Sequence, residues 1–153
     1  MKSTLVLLLF IIFVFTAAFA GSRFLPGEWY RNLQKPPWTP PNWLFGPVWT
    51  ILYIMIAFSG WMVCRESGFT AALFPFIIYL LQLILNAMWT WLFFGLHKPA
   101  IAFLDISALW LCILFLIILF WQISKPAGVL LIPYLIWVTY AATLNYFLYK
   151  LNS

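Results

Sequence analysis

Apolar residues come in five long runs separated by short polar breaks. Four runs are sharply bounded, at residues 45–64, 72–95, 100–121 and 127–149. Each is close to the roughly 20 residues that carry an α-helix across the hydrocarbon of a bilayer. Arg65 and Glu66, His97 and Lys98, Gln122 to Lys125, and Lys150 mark their ends. Only helices span lipid as single segments, because every backbone group must be satisfied within the segment. The pattern therefore predicts an all-α membrane bundle forming one domain over residues 1–153, with neighbouring helices antiparallel across short connections.

The first run, residues 4–20, reads in two ways. Lys2, the apolar stretch and Ala18-Phe19-Ala20 before Gly21 fit a cleavable signal peptide. They fit a retained first helix equally well, and removing that helix would strip a very small bundle.

Composition closes off a soluble alternative. Charged residues make up 7% of the chain and hydrophobic ones 66%, and the mean hydropathy is +1.03. A soluble chain carries about a quarter charged residues. The net charge of +5 is no nucleic-acid signal, since the basic residues stand singly at the edges of apolar runs. Lys2, Arg65 and Lys125 fall on one side of a five-span arrangement, and Arg23, Arg31, Lys35, Lys98 and Lys150 on the other. The richer side, holding the first loop and the carboxyl terminus, is expected to face the cytoplasm. Cys64 and Cys112 form no metal or redox spacing and are expected to pack.

The loop 21–44 holds Pro26, Pro36, Pro37, Pro40 and Pro41 with Trp29, Tyr30, Trp38 and Trp43. Proline restricts the backbone and removes donors. An ordered, non-helical lid is therefore expected in preference to an ordinary interfacial aromatic belt.

Polar side chains at membrane depth are costly and so informative. In the third run Tyr79, Gln82, Asn86, Trp89 and Phe93 recur at helical spacing and share one stripe. In the fifth, Tyr134, Trp137, Ala141 and Asn145 do the same; in the second, Trp49 and Tyr53 share a face beside Pro47. Isolated asparagines commonly just join helices. Here tryptophan stands at the adjacent turn in both helices, and Ala141 leaves room, which together suit a pocket for a flat apolar ligand. Asp105 is expected to find a structural partner, and His97 to cap a helix end rather than ligate a metal. No catalytic motif is present, and three acidic residues leave acid–base chemistry poorly supplied.

Trp29-Tyr30, Leu33, Lys35-Pro36, Trp38, Pro40-Pro41, Trp43, Gly46-Pro47-Val48-Trp49 and Leu52-Tyr53 resemble the signature of the TspO/MBR family, the tryptophan-rich sensory and translocator (peripheral-type benzodiazepine receptor) proteins. Leu85-Asn86, Trp89 and Phe93-Phe94-Gly95 look like its third helix, Asp105 its fourth-helix acid, and Pro133-Tyr134, Trp137 and Leu144-Asn145-Tyr146 its fifth. The resemblance implies a retained first helix, five helices in all, a homodimer, and a pocket opening toward the first loop. It implies porphyrin or haem as ligand, with no cofactor required, and benzodiazepine-type ligands besides. Carried over by position, the pocket is Tyr30, Pro40, Trp49, Asn86, Trp89, Trp137, Ala141 and Leu144. Pro40 gains its role, and Leu144 its place, from the resemblance alone. Ile101 stands where animal members carry tryptophan. Leu144-x-Tyr146-x-x-x-Lys150 fits a loose sterol pattern too permissive to imply steroid binding.

The leading expectation is thus a membrane receptor or carrier for porphyrins, in tetrapyrrole handling or stress regulation. The alternatives are an enzyme that degrades protoporphyrin with light and oxygen through Trp49 and Trp137, and a scaffold whose aromatics only pack. A bacterial cell membrane is expected over a mitochondrial one.

Overall fold

A computed structural model describes residues 3–153; Lys2, used in the charge count, lies outside the described residues. Helix α1 runs Ser3–Ser22, the single turn α2 Glu28–Arg31, α3 Asn42–Ser67, and α4 Leu73–Thr90, which continues as a π-helical turn over Trp91–Gly95. Helix α5 covers Pro99–Ile123, α6 Lys125–Leu130 and α7 Ile132–Asn152. Five segments are long and apolar enough to cross a membrane: Ser3–Ser22, Asn42–Ser67, Leu73–Gly95, Pro99–Ile123 and Lys125–Asn152.

The ends of these helices follow from local chemistry. Pro41, in extended backbone, starts α3, and Gly68 ends it at φ 79, with its N–H donating to the Cys64 carbonyl at 2.9 Å. That positive φ favours glycine, which has no Cβ to clash. Pro99 opens α5 at a first-turn position, where its missing N–H costs nothing.

Two expectations need correction. The fifth span is not one continuous helix, because Leu131 forms a turn between α6 and α7. Pro133 supplies no donor to the turn before it and clashes with a straight continuation. The loop is not wholly non-helical either, since Glu28–Arg31 closes a helical turn, with the Arg31 N–H on the Gly27 carbonyl at 3.0 Å.

Around the bundle, α1 packs on α3 and α4, α4 on α5, and α5 on α6 and α7, while α3 closes the ring mainly through α6. Helix α1 is thus an integral wall, burying Phe10 and Val14. Gly60 lets it approach α3: a Cβ there would lie 2.6 Å from the Phe10 ring and 2.9 Å from that of Tyr79. Ile56, Leu109, Ile113, Leu116 and Tyr134 fill the centre, each almost wholly buried. Because α3 meets α7 only slightly, the loop end between them is left to aromatic side chains.

Candidate functional site

The inward stripes meet in a chain of hydrogen bonds. The Tyr53 hydroxyl donates to Asn86 Oδ1 at 2.9 Å, Asn86 Nδ2 to the Tyr134 hydroxyl at 2.8 Å, and that hydroxyl to Gln82 Oε1 at 2.8 Å. Three helices are linked by side chains alone. One turn nearer the loop, Trp89 Nε1 donates to Asn145 Oδ1 at 2.9 Å, and Asn145 Nδ2 to the Pro99 carbonyl at 2.9 Å. Both asparagines therefore have oxygen and nitrogen engaged within the protein, as buried amides require.

Between this network and the loop lies a cavity of about 490 Å³, walled by Phe15 and Phe19 of α1, Phe45, Trp49 and Tyr53 of α3, and Trp89 and Phe94 at the end of α4. The size is within the range of small-molecule sites. A second void, of about 20 Å³, lies among Tyr30, Trp89, Phe93, Ala141, Leu144 and Asn145. It has room for little more than a water molecule. Phe45, Trp89 and Phe94 border both spaces and so form the partition between them.

The π-helical turn shapes that partition. The Leu96 N–H reaches back to the Trp91 carbonyl at 2.8 Å, and the extra residue in the turn lets consecutive Phe93 and Phe94 both contribute. Phe93 stacks on Trp89 at 5.4 Å, and Phe94 meets the same indole edge-on at 5.9 Å.

The eight residues predicted for the site divide accordingly. Trp49 and Trp89 wall the larger cavity; Tyr30, Trp89, Ala141 and Leu144 surround the smaller void. Trp137 stands behind Trp49, ring centroids 6.4 Å apart and nearly perpendicular, and against Phe45 at 5.9 Å. Its Nε1 is buried without a hydrogen-bond partner. Asn86 borders neither space and touches the larger one only through Tyr53. Pro40 is buried within the loop and borders neither.

Sequence reasoning missed Phe15, Phe19 and Phe45. Helix α1 is apolar on every side, so no periodicity singles out a cavity-facing position. Phe45 sits at the edge of its run, where no stripe includes it.

The loop is fastened to the bundle at three points. Trp29 stacks on His97 at 4.5 Å and meets Phe93 edge-on at 5.5 Å. Trp38 lies against Tyr140 and Phe147, each at 5.7 Å, and its carbonyl accepts the Tyr140 hydroxyl. Gln34 exchanges two bonds with the Asn152 amide, at 2.9 and 3.0 Å. Trp43, by contrast, is 71% exposed and is not packed into the cover. The Tyr30 hydroxyl is buried without a partner, and Lys35 lies 4.7 Å from its ring. Burial, and then nearby Tyr140, push its phenol above the usual range, so it stays a neutral donor.

Three further expectations resolve here. Asp105 is buried, but its Oδ2 has no hydrogen-bond partner, so the structural partner expected for that oxygen is not found among the described residues. Leu96, not His97, caps the π-helical turn; His97 follows it at φ 56, stacked on Trp29. The sterol pattern is split between faces: Leu144 is buried, whereas Tyr146 and Lys150 are exposed. Among the described residues, no three His, Cys, Asp or Glu side chains group to hold a metal ion.

Comparison with known proteins bears on the whole chain. Residues 5–150 match the model of the TspO/MBR family. Protein CrtK of Rhodobacter capsulatus is 39% identical over 95% of this chain and 94% of its own length. The tryptophan-rich protein TspO of Archaeoglobus fulgidus is 40% identical over 94% of each. The human translocator protein is 40% identical over 88% of this chain and 82% of its own.

Proposed function

The chain belongs to the TspO/MBR family, and from that premise we propose that it is a membrane receptor or carrier for porphyrins such as protoporphyrin IX and haem. The observation that carries the reading is the cavity of about 490 Å³ walled by Trp49, Trp89, Tyr53, Phe45 and Phe94. Flat conjugated rings gain most from stacking on such faces. The loop end also carries Arg23, Arg31, Lys35, Lys98 and Lys150, which suits a ligand with carboxylate arms. The same basic bias favours a cytoplasmic loop end, the family a homodimer, and a bacterial cell membrane is proposed over a mitochondrial one.

Titrating the purified protein with protoporphyrin IX while following tryptophan fluorescence tests this. Saturable one-to-one quenching, weakened severalfold in Trp49→Ala, is the expected result; quenching that never saturates overturns it.

A second reading, breakdown of bound protoporphyrin with light and oxygen, has one observation in its favour. Trp49 and Trp137 stand edge to face at 6.4 Å, so two oxidisable indoles adjoin. Illumination in air would then give a product that Trp49→Phe and Trp137→Phe both lose. Binding without any light-dependent product leaves the receptor reading alone.

A further inference from the structure

The outer surface between α5 and α7 carries a groove that the porphyrin reading does not use. It has a volume of about 600 Å³ and is lined by Phe103, Ser107, Trp110 and Leu111 on one side and by Ala142 and Tyr146 among others on α7. We propose that this groove binds one anionic glycerophospholipid of the leaflet at the loop end, with an acyl chain in the groove and the phosphate at Lys150.

The groove's chemistry suits a hydrocarbon chain. Apart from the Tyr146 hydroxyl at its loop end, its side-chain donors are already satisfied: Trp110 Nε1 donates to Thr139 Oγ1 at 2.7 Å, and Ser107, Thr139 and Thr143 donate to backbone carbonyls of their own helices at 2.7–2.8 Å. An acyl chain laid beyond Tyr146 therefore strands no donor and meets little desolvation penalty. No carboxylate lies among the lining residues.

Length and depth select a lipid over a second helix. From Phe103 to Leu111 the groove follows α5 for eight residues, about 12 Å at the helical rise. It begins near the start of α5 and ends near mid-span, so it occupies one leaflet of a hydrocarbon core about 30 Å thick. A neighbouring helix would call for a trough along the whole span.

Charge is placed at the open end. Tyr146 closes the groove toward the loop end, and Lys150, one turn further, holds its ammonium 5.9 Å from the Tyr146 ring. Lys150 is exposed, with its stem along the helix surface and its charge at headgroup level. Lys98, also exposed, sits at the same end of α5, which the Asn145–Pro99 bond ties to α7. One basic side chain at the membrane surface is worth about fivefold in affinity for an anionic headgroup.

Native mass spectrometry of the detergent-purified chain, titrated with phosphatidylglycerol, phosphatidylcholine or cholesterol, tests the proposal. Phosphatidylglycerol should bind about fivefold more tightly than phosphatidylcholine. Lys150→Gln should remove that preference, whereas Lys125→Gln at the opposite end should keep it. Ala142→Phe, which fills the groove, should lose both phospholipids while melting and binding protoporphyrin as the parent does. Equal affinity for the two phospholipids, or an unaltered preference in Lys150→Gln, overturns the assignment. Tighter binding of cholesterol than of phosphatidylglycerol makes the groove a sterol site instead. A dimer lost in Ala142→Phe with lipid binding intact makes it a seat for a second copy.

Discussion

Trp89 and Asn145 are joined across the bundle by one indole-to-amide hydrogen bond of 2.9 Å, and the same amide holds the Pro99 carbonyl at the head of α5. A single side chain of α7 thus fixes both the tryptophan that borders the two cavities and the start of a neighbouring helix. Replacing Asn145 with Leu leaves an indole N–H and a carbonyl without their partner. The expected loss is about 1–3 kcal/mol of stability. Trp89→Phe removes the donor instead, and in the double variant the losses should be less than additive. Thermal melting of the four proteins in detergent measures this cycle.

Asn86 and Trp137 should behave differently although both were predicted to meet ligand. Asn86→Leu strands the Tyr53 hydroxyl and leaves the Tyr134 hydroxyl with Gln82 alone, and should lower the melting temperature before any effect on ligand is considered. Trp137→Phe removes an N–H that has no partner and trims its packing against Phe45 and Trp49; it should cost less than about 1.5 kcal/mol of stability. If the indole faces bound porphyrin, that variant nonetheless binds it severalfold more weakly. Equal melting of Asn86→Leu and the parent would count against the network.

The loop's attachment to α7 should govern ligand exchange. Tyr140→Phe frees the Trp38 carbonyl, and Asn152→Ala frees both backbone groups of Gln34. Each bond is worth about 1 kcal/mol, so stopped-flow quenching should show porphyrin leaving about fivefold faster from Tyr140→Phe and up to about thirtyfold faster from Asn152→Ala, which loses two bonds. The association rate should stay level, since affinity differences among variants of one site are carried mainly by release. Unchanged release from both would make the loop a membrane anchor only.

Gly60→Ala tests the seating of α1. The added methyl would lie 2.6 Å from the Phe10 ring and 2.9 Å from that of Tyr79, and relieving such overlap typically costs about 1–3 kcal/mol. Phe10→Leu in the same chain should recover part of the loss. Both are read by thermal melting.

Single cysteines at Ser22 and Ser153, in a chain lacking Cys64 and Cys112, should label from the same side of the membrane. Ser22 ends α1 and Ser153 follows α7, with four spans between them. Labelling from opposite sides would contradict the five-span arrangement.

The spans were legible because lipid demands long apolar runs, and the polar residues of α4 and α7 were legible because each had to be justified at membrane depth. Both stripes do face inward. What Asn86 and Asn145 touch was not legible, since Tyr53, Tyr134 and Pro99 come from other helices and no local spacing reports them. The break at Leu131 was foreshadowed by Pro133, yet the apolar run continues through it and hides the turn. The π-helical turn at Trp91–Gly95 leaves the hydropathy unchanged. Nor could the division into two cavities be read, because Phe45 and Phe94 acquire that role only once α3 and α4 are side by side.

The hydrogen-bond network has a bearing on chemical tolerance. Where donors and acceptors are already spoken for by one another, a guest is offered outlines and polarisable faces more than a pattern to match. Such an interior distinguishes flat from bulky far better than one heteroatom arrangement from another. Molecules of unrelated chemistry but common thickness become interchangeable tenants. Around the site, the Tyr30 hydroxyl, the Trp137 N–H and Gln82 Nε2 are buried without partners among the described residues, and a guest that reached one of them would be told from the rest.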